Sequence, residues 1–261
     1  MALRNVGWLS GTPVEFQHAV LERCLVKRLG RNAVVYSVGE PIEGRASGLW
    51  GVVSGGVALE IAPGERGPTF AHFARPGFWF GASAVLTRRA RMLRAVATRP
   101  TTLVTLTTSQ FDQIATRMPL AWRWLGVLAV EHLQLSLTAM DDLMIRNPTG
   151  RAVAMLLRLA GHRGGSPECA PTCEVDVSQE SLAVMANLSR STVGGILRSL
   201  EKAGLLEVRY RLIRLLDPER LAQFIAEDED ASLPAAGAIG ARLASARSAG
   251  ASPLPPAPPT A

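Results

Sequence analysis

Short hydrophobic runs, separated by glycine or proline, fill the chain from Leu25 to Thr108. They read AVVYSV, LWGVV, GVALEIA, TFAHFA, LRAVAT and TLVTLT. Short β-type runs at regular spacing, with turn residues between them, are typical of a β-sandwich or barrel. At Ser109 a capped start predicts a short helix that ends before Pro119. The pattern therefore predicts an N-terminal β domain.

A helical pattern follows from Pro119 to Arg146, where apolar residues recur at spacings of three and four. A long helix with apolar residues on more than one side has to be buried against more than one neighbour. We expect the β domain to cover one side and a second copy of the chain to cover the other; an ordinary core helix of a monomer is the alternative. The residues expected in this dimer seam are Leu125, Ala129, Leu133, Leu137, Met140 and Met144.

The residues from Ser178 to Leu215 predict a helix, a tight turn, a second helix and a basic hairpin. Ser178 and Ser189 are good N-cap residues for the two helices, and Asn187 between them tolerates left-handed backbone geometry. Four apolar residues at i, i+3, i+4 and i+7 give the second helix a buried stripe. The members of this stripe are Val193, Ile196, Leu197 and Leu200.

The opposite face of the second helix is short, polar and cationic, and it ends at Gly204. Such a face suits a helix that lies in the major groove of DNA. The alternative is a helical hairpin with a solvated basic face, but the arginine-rich hairpin that follows favours the DNA interpretation. The face carries Arg190, Ser191, Gly194, Gly195, Arg198 and Lys202.

Two more helices are predicted around this unit. Pro148 or Thr149 starts one over RAVAMLLRLA that Gly161 ends, and Asp217-Pro218-Glu219 starts a short last one. After Asp230 the composition changes to Ala, Pro, Gly and Ser, which is typical of a disordered tail. We divide the chain into a β domain (14–118), a dimerisation helix (119–146), a reading domain (147–226) and a tail (227–261).

Composition favours an anionic partner, because 28 Lys and Arg outnumber 22 Asp and Glu and give a formal charge of +6. No folded stretch is long and apolar enough to match the roughly 20 residues of a membrane helix. The N-terminus also lacks the continuous apolar segment of a signal peptide. We therefore expect a cytoplasmic protein without membrane association.

The three cysteines are too few for a disulfide scaffold. Cys169 and Cys173 lie in a Gly/Pro-rich loop and can pair on oxidation or bind a metal, but no His/Cys pair with zinc-finger spacing completes such a site. The chain also has no phosphate-binding loop, dinucleotide fingerprint, zinc-protease motif or nucleophile elbow. We expect no enzyme activity and no bound metal.

The order of β domain, long helix, helix-turn-helix and basic hairpin resembles the cyclic-AMP receptor protein/FNR (CRP/FNR) family of bacterial transcription regulators. LAVMANLSRSTVGGILRSL matches the reading motif of that family, and Asn147-Pro148-Thr149-Gly150-Arg151 matches the segment that often opens its C-terminal domain. The resemblance spans about Leu25 to Leu221. Three motifs of the family's β-roll are also present, as Gly39-Glu40-Pro41, Val53-Ser54-Gly55-Gly56-Val57 and Pro76-Gly77-Phe78-Trp79-Phe80-Gly81.

The resemblance implies an α+β fold with an N-terminal β-roll (a cyclic-nucleotide-binding-like jelly roll), a long dimerisation helix and a C-terminal winged helix-turn-helix. It implies a regulator that reads double-stranded DNA as a homodimer, with RNA polymerase as a further partner.

The resemblance also assigns DNA contacts. Arg190 corresponds to a residue that reaches base edges or phosphates, and its planar fork can hold O6 and N7 of guanine together. Ser191 and Gly195 stand where the family commonly has an acidic residue and a second arginine. Two base-reading side chains are therefore missing, and the consecutive glycines either let the backbone approach DNA closely or weaken sequence reading. The residues expected to hold the DNA backbone are Ser178, Ser189, Thr192, Arg198, Arg209 and Arg211.

The sensing site departs from the cyclic-nucleotide binders of the family. These follow Phe-Gly with a glutamate for the ribose, but here Ala82 follows Gly81. They hold the phosphate with Arg-Ser or Arg-Thr, and Met92-Leu93 aligns with that pair. An alternative register offers Arg91 or Arg94, neither followed by Ser or Thr. We expect an effector other than cyclic AMP, or none, and interpret the loop arginines as solvated: Arg88, Arg89, Arg91 and Arg94.

Other cofactors of the family also lack support in the sequence. Cys24 alone cannot provide the cysteine group of the iron–sulfur branch, and we interpret His72 and His132 as satisfied or exposed histidines rather than haem ligands. Two other functions stay open. One is a degenerate sensor that acts by protein contact, and the other is a thiol redox switch that uses Cys169 and Cys173.

Overall fold

The computed structural model describes residues 2–42, 47–61, 69–164 and 171–232. Within them an N-terminal β-roll is followed by a long helix and a C-terminal helix-turn-helix domain with a small sheet. This is the mixed α and β architecture that the sequence predicted.

The strands of the roll form two antiparallel sheets, ordered β1-β8-β3-β6 and β2-β7-β4-β5. The predicted hydrophobic runs account for most of them, whereas β1 and the two-residue β6 were not recognised in the sequence. Their inner faces pack around Trp50, Val52, Leu59, Phe80 and Leu103. The strands are β1 (Leu25–Leu29), β2 (Val34–Tyr36), β3 (Leu49–Ser54), β4 (Val57–Ile61), β5 (Thr69–Ala74), β6 (Trp79–Phe80), β7 (Leu93–Ala97) and β8 (Thr101–Leu106).

The helices around the roll differ from the sequence prediction in three places, one of which is α2 (Ala82–Thr87), a helix that was not predicted. Helix α1 (Val14–Arg23) and the short 3-10 segments before it were not predicted; they bury Leu3, Trp8 and Phe16 beneath the long helix, and Nε1 of Trp8 donates to the Trp124 carbonyl at 2.6 Å. After α2 (Ala82–Thr87), helix α3 (Thr108–Arg117) is capped by Thr107 and not by Ser109.

A capping box explains the earlier start of α3. The Thr107 hydroxyl accepts from the Gln110 amide at 3.2 Å, while Oε1 of Gln110 accepts from the Thr107 amide at 2.8 Å. Ser109 lacks such a partner three residues on, since position 112 is an aspartate.

Helix α4 (Ala121–Met144) leads from the roll to the C-terminal domain. That domain contains α5 (Pro148–Ala160), β9 (Glu174–Val175), α6 (Gln179–Met185), α7 (Arg190–Lys202), β10 (Leu206–Arg209), β11 (Leu212–Leu215) and α8 (Pro218–Ser232). Its three strands form a sheet ordered β10-β11-β9. Helix α8 extends from Pro218 to Ser232, past residue 227, where we place the start of the tail; residues 233–261 lie outside the described part.

The C-terminal domain packs against the roll and α4. Phe73 of β5 belongs to the hydrophobic core of the C-terminal domain. At the end of α4, the buried carboxylate of Asp142 accepts from Arg158 of α5 at 2.9 Å and from Arg163 at 2.6 Å. Core packing and a buried ion pair therefore join the domains.

Candidate nucleic-acid interface and ligand cavity

Helices α6 and α7 are each started by a serine, as the sequence predicted. The Ser178 hydroxyl accepts from the amide of Ser181 at 3.0 Å, and the Ser189 hydroxyl accepts from that of Thr192 at 3.0 Å. Asn187 between them has a φ of 50°, in the left-handed region. These local signals set where α6 and α7 begin and form the turn between them.

The N-terminal end of α7 projects polar groups from the surface. Arg190, Ser191 and Thr192 are all exposed, and the Ser189 hydroxyl lies 2.8 Å from the hydroxyls of both Ser191 and Thr192. Arg198 is exposed two turns further along. The buried stripe predicted for the opposite face is confirmed, since it lies in the domain core.

The two glycines of α7 differ in their surroundings. Gly194 was predicted on the exposed face but is buried, and a Cβ built on it would lie 3.5 Å from Nη1 of Arg198 and 3.6 Å from Oε1 of Gln179. A Cβ on Gly195 would meet nothing within 4 Å. The protein itself therefore does not require glycine at position 195.

The turn between β10 and β11 carries a cationic and aromatic tip. Arg209 and Arg211 are exposed, and Arg209 pairs with Glu207 at 2.9 Å. Tyr210 between them is 88% exposed. Sequence reasoning missed Tyr210, although its place between two arginines in a hairpin was a usable signal.

The C-terminal domain matches a known family. Residues 150–224 match the model of the Crp-like helix-turn-helix domain. The HTH-type transcriptional regulator Cmr of Mycobacterium tuberculosis is 26% identical over 205 residues, which cover 78% of this chain and 77% of Cmr. Residues 150–224 are therefore a Crp-like helix-turn-helix domain, and the chain is similar to a transcription regulator over most of its length.

Two solved structures share the fold of most of this chain. FixK2 from Bradyrhizobium japonicum has a TM-score of 0.64 at 20% identity, covering 77% of this chain and 96% of FixK2. A CRP/FNR-family regulator from Thermus thermophilus has a TM-score of 0.59 at 21% identity, covering 77% of this chain and 98% of that regulator.

Helix α4 leaves an apolar face uncovered. Leu133, Leu137 and Met140 are 57%, 54% and 64% exposed. With Val130 and Met144 they follow spacings of three, four, three and four, the a and d positions of a coiled coil.

Two residues expected in the dimer seam are covered to different extents by their own chain. Leu125 is fully buried in its own chain, in the core that contains Trp8 and Phe111, so it cannot reach a second copy. Ala129 is half-buried and lines a cavity beside the roll. Residues of the N-terminal segment, such as Trp8 and Phe16, pack in the same core as Leu125. The periodicity of α4 alone could not predict this packing.

A cavity of about 560 Å³ lies between the roll, α4 and the helix-turn-helix. Ala82, the residue that follows Phe80-Gly81, is part of its wall. Arg91 also lines the cavity and was wrongly interpreted as solvated. It is buried over the Tyr36 ring, 4.3 Å from the ring centroid, and its Nη2 donates to the Gly48 carbonyl at 3.0 Å.

The other loop arginines lie outside the cavity. Arg88 and Arg89 are exposed, as predicted, with Arg88 beside Asp112. Arg94 is half-buried and pairs with Glu60. Of the four arginines in this part of the sequence, Arg91 alone lines the cavity. The sequence provided no reason to distinguish it from the other three.

His72 and His132 enclose the ring of Phe78 in the cavity wall. The centroid of the Phe78 ring lies 4.7 Å from that of the His72 ring and 5.2 Å from that of the His132 ring. Nε2 of His132 lies 3.0 Å from the Trp79 carbonyl oxygen. Burial lowers the pKa of His72 to about 3, aided by the positive charge of Arg158. Burial lowers the pKa of His132 to about 4, against the hydrogen bond to Trp79.

These histidines predict a stability loss in mild acid. Below its ordinary pKa of about 6.5, each histidine is protonated in the unfolded chain but stays neutral in the folded protein until the pH approaches 3 to 4. Between pH 7 and pH 5 the free energy of unfolding should fall by about 1–2 kcal/mol for each histidine. Urea denaturation at both pH values measures the loss.

His132→Gln should remove about half of that pH dependence. His18 is exposed on α1, so His18→Gln serves as the matched control and should leave the pH dependence unchanged. Equal stability of the wild-type protein at pH 7 and pH 5 would contradict the burial of neutral histidines.

The cysteine thiols were the remaining candidates for chemistry. Burial raises the pKa of the Cys24 thiol to about 12, so Cys24 is a poor nucleophile. Cys173 is exposed, and Cys169 lies outside the described residues.

Within the described segments, no helix combines the length and apolarity that crossing a membrane requires.

Proposed function

We propose that this CRP/FNR regulator acts without enzymatic activity in the cytoplasm, binds DNA sequence-specifically as a homodimer, and responds to an effector other than cyclic AMP or to none. The observation that carries the proposal is the exposed N-terminal end of α7. Arg190 lies there beside the hydroxyl groups of Ser191 and Thr192, on a helix whose opposite face packs in the hydrophobic core. A helix held in this way can enter a major groove.

Side chains around α7 supply contacts to phosphates. The amides and hydroxyls at Ser178, Ser189 and Thr192 lie at helix starts, where partial positive charge favours an anion. Arg198 extends this surface along α7, and the tip with Arg209 and Arg211 extends it on the hairpin. Such contacts position the protein on DNA without reading sequence.

The exposed face of α4 supports the dimer. Val130, Leu133, Leu137, Met140 and Met144 are the proposed seam, which omits Leu125 and Ala129. A two-fold dimer would present two α7 helices to successive major grooves about 34 Å apart on a pseudo-palindromic site. RNA polymerase is the proposed second partner of the DNA-bound dimer.

Arg190→Ala should remove base discrimination, because Arg190 is the long forked side chain at the leading end of α7. The expected cost is about 1–3 kcal/mol at one base position per half-site. Genome-wide mapping of bound DNA first identifies a specific site. The affinity of the variant for that site and its affinity for random DNA are then measured at several salt concentrations.

Arg198→Ala and Arg209→Ala are the controls. They should weaken binding to both DNAs alike and reduce its salt dependence, as expected for phosphate contacts. If Arg190→Ala loses equal affinity on both DNAs, Arg190 is a phosphate contact only. Specificity would then come from Ser191, the exposed backbone or DNA shape.

Gly195→Ala should stabilise the protein yet weaken DNA binding. A Cβ at this position meets nothing in the protein, so the substitution should raise the free energy of unfolding by about 0.5–1 kcal/mol. The same methyl group would separate the α7 backbone from the DNA, which lowers affinity. Thermal denaturation and DNA titration measure the two effects on one sample.

Gly194→Ala is the matched control, because its Cβ would contact the protein at ordinary distances. It should leave DNA affinity unchanged. Unchanged DNA affinity in Gly195→Ala as well would show that the glycine pair does not serve a close approach.

A further inference from the structure

The turn of the β10-β11 hairpin consists of two residues, Tyr210 and Arg211, which follow Arg209 and precede its pairing partner Leu212. Arg209, Tyr210 and Arg211 form the wing tip, and all three are exposed. Arg211 has a φ of 56°, in the left-handed region. Two-residue hairpin turns usually place glycine or asparagine in that region, because a Cβ there is sterically unfavourable. Such departures from local preference are typical of positions whose side chains serve a function.

The hairpin holds the wing tip at a fixed place relative to α7. The Val208 amide donates to Oε1 of Glu201 at 2.8 Å, which ties β10 to the last turn of α7. Leu206, Ile213 and Leu215 of the two strands are buried in the core that also contains the apolar stripe of α7. The wing tip and the N-terminal end of α7 therefore belong to one packed unit and meet a DNA duplex together.

The length of α7 matches the spacing of the grooves of DNA. Glu201, where the hairpin is attached, lies about 17 Å along the helix from Arg190 at a rise of about 1.5 Å per residue. The grooves of B-form DNA repeat about every 34 Å, so a minor groove lies about 17 Å from the centre of the neighbouring major groove. When Arg190 lies in a major groove, the hairpin is therefore brought to the adjacent minor groove.

The charge and size of the wing tip suit a minor groove. Arg209 and Arg211 flank Tyr210, and Arg209 is oriented by Glu207 at 2.9 Å. Phosphates form both walls of the minor groove, and its negative potential is strongest where A·T tracts narrow it. A groove about 6 Å wide admits one aromatic ring between its walls. The wing tip thus offers a ring for the groove and a cation for each wall.

We propose that the wing tip enters the minor groove beside the major groove read by α7, with Tyr210 between the walls and with Arg209 and Arg211 at the phosphates. This inference rests on the proposed DNA-binding function and adds a residue that reads sequence. The Tyr210 hydroxyl can donate to N3 of adenine or O2 of thymine on the floor of the groove. In a G·C pair the 2-amino group of guanine lies on that floor, so Tyr210 should favour A·T pairs there.

Inosine separates minor-groove reading from major-groove reading. An I·C pair has the major-groove pattern of G·C but, like A·T, lacks the 2-amino group in the minor groove. The specific site found by genome-wide mapping is synthesised with G·C and then with I·C at each position in turn, and the full chain is titrated with each DNA. The wild type should bind I·C at least about fivefold tighter than G·C at positions about half a helical turn from the centre of a half-site. Equal affinity at these positions would overturn the inference.

Tyr210→Ala should remove the preference for I·C over G·C. Because Tyr210 is 88% exposed, the variant should unfold at the same temperature as the wild type. Leu216 is 47% exposed at the base of the same hairpin, where its amide donates to the Leu205 carbonyl at 2.9 Å. Leu216→Ala is therefore the matched control and should retain the preference. A preference that persists in Tyr210→Ala would arise from the deformability of the DNA and would overturn the inference.

Titration of the wild type distinguishes this inference from the proposed function. If the wild type binds specific DNA but the inosine or Tyr210→Ala result fails, only the inference is wrong. If the wild type binds no specific DNA, the proposed function is wrong and the inference falls with it. A Tyr210→Ala protein that binds every DNA as the wild type does, yet no longer recruits RNA polymerase, would make the wing tip a protein contact and also overturn the inference.

Discussion

Asp142→Asn is expected to lower the free energy of unfolding by about 3–5 kcal/mol, because it leaves the buried guanidinium of Arg158 without its charge partner. The Asp142 side chain is 0% exposed and that of Arg158 is 2% exposed. Arg163, the other partner of Asp142, is 25% exposed and can be hydrated after the change. Urea and thermal denaturation of the variant measure the loss.

Asp141 offers a matched control one residue away. Its carboxylate is 72% exposed and contacts Arg163 at 3.2 Å, so Asp141→Asn should change stability by less than about 1 kcal/mol. The double variant Asp142→Leu/Arg158→Met should recover much of the loss, since apolar residues replace a buried pair at little cost. Similar losses for Asp141→Asn and Asp142→Asn would contradict this account.

Leu133→Glu is expected to convert the proposed dimer to monomers and to lower affinity for a two-half-site DNA by at least about a hundredfold. Leu133 lies in the middle of the exposed apolar face of α4, where a second copy would bury the introduced carboxylate without a partner. A monomer also loses the gain that comes from linking two half-site contacts. Sedimentation velocity and DNA titration measure the two effects.

Val14→Glu places the same charge on another exposed apolar residue, 62% exposed at the start of α1. It should leave both the sedimentation coefficient and the DNA affinity unchanged. A Leu133→Glu protein that remains dimeric would show that the α4 face is not the seam.

Much of the reading domain was predictable because its signals are local. Ser178, Ser189 and Gly161 act on backbone groups within a few residues, and Asn187 adopts its left-handed geometry for reasons that lie in its own side chain. The strands of the roll were predictable for a similar reason, since alternation and turn residues are properties of short segments. The resemblance to the Crp-like helix-turn-helix domain followed from the same motifs.

Residues that occupy equivalent positions in a sequence pattern differ in burial only because of the tertiary fold. Leu125 and Leu133 belong to one apolar stripe, but the N-terminal segment packs over the first and leaves the second exposed. No periodicity within α4 contains that information, because the cover comes from residues far away along the chain. The exact seam was therefore not predictable from the helix alone.

The sequence by itself determined most strands of the roll, the serine caps of α6 and α7 and the polar, cationic residues at the start of α7, because each depends on neighbours along the chain. Only the tertiary structure decided that Arg91 is buried while Arg89 is solvated, and that Asp142 pairs with Arg158 across two helices. It also decided that a cavity joins the roll to the helix-turn-helix. Burial and pairing depend on which distant segments meet, so they arise only when the chain has folded.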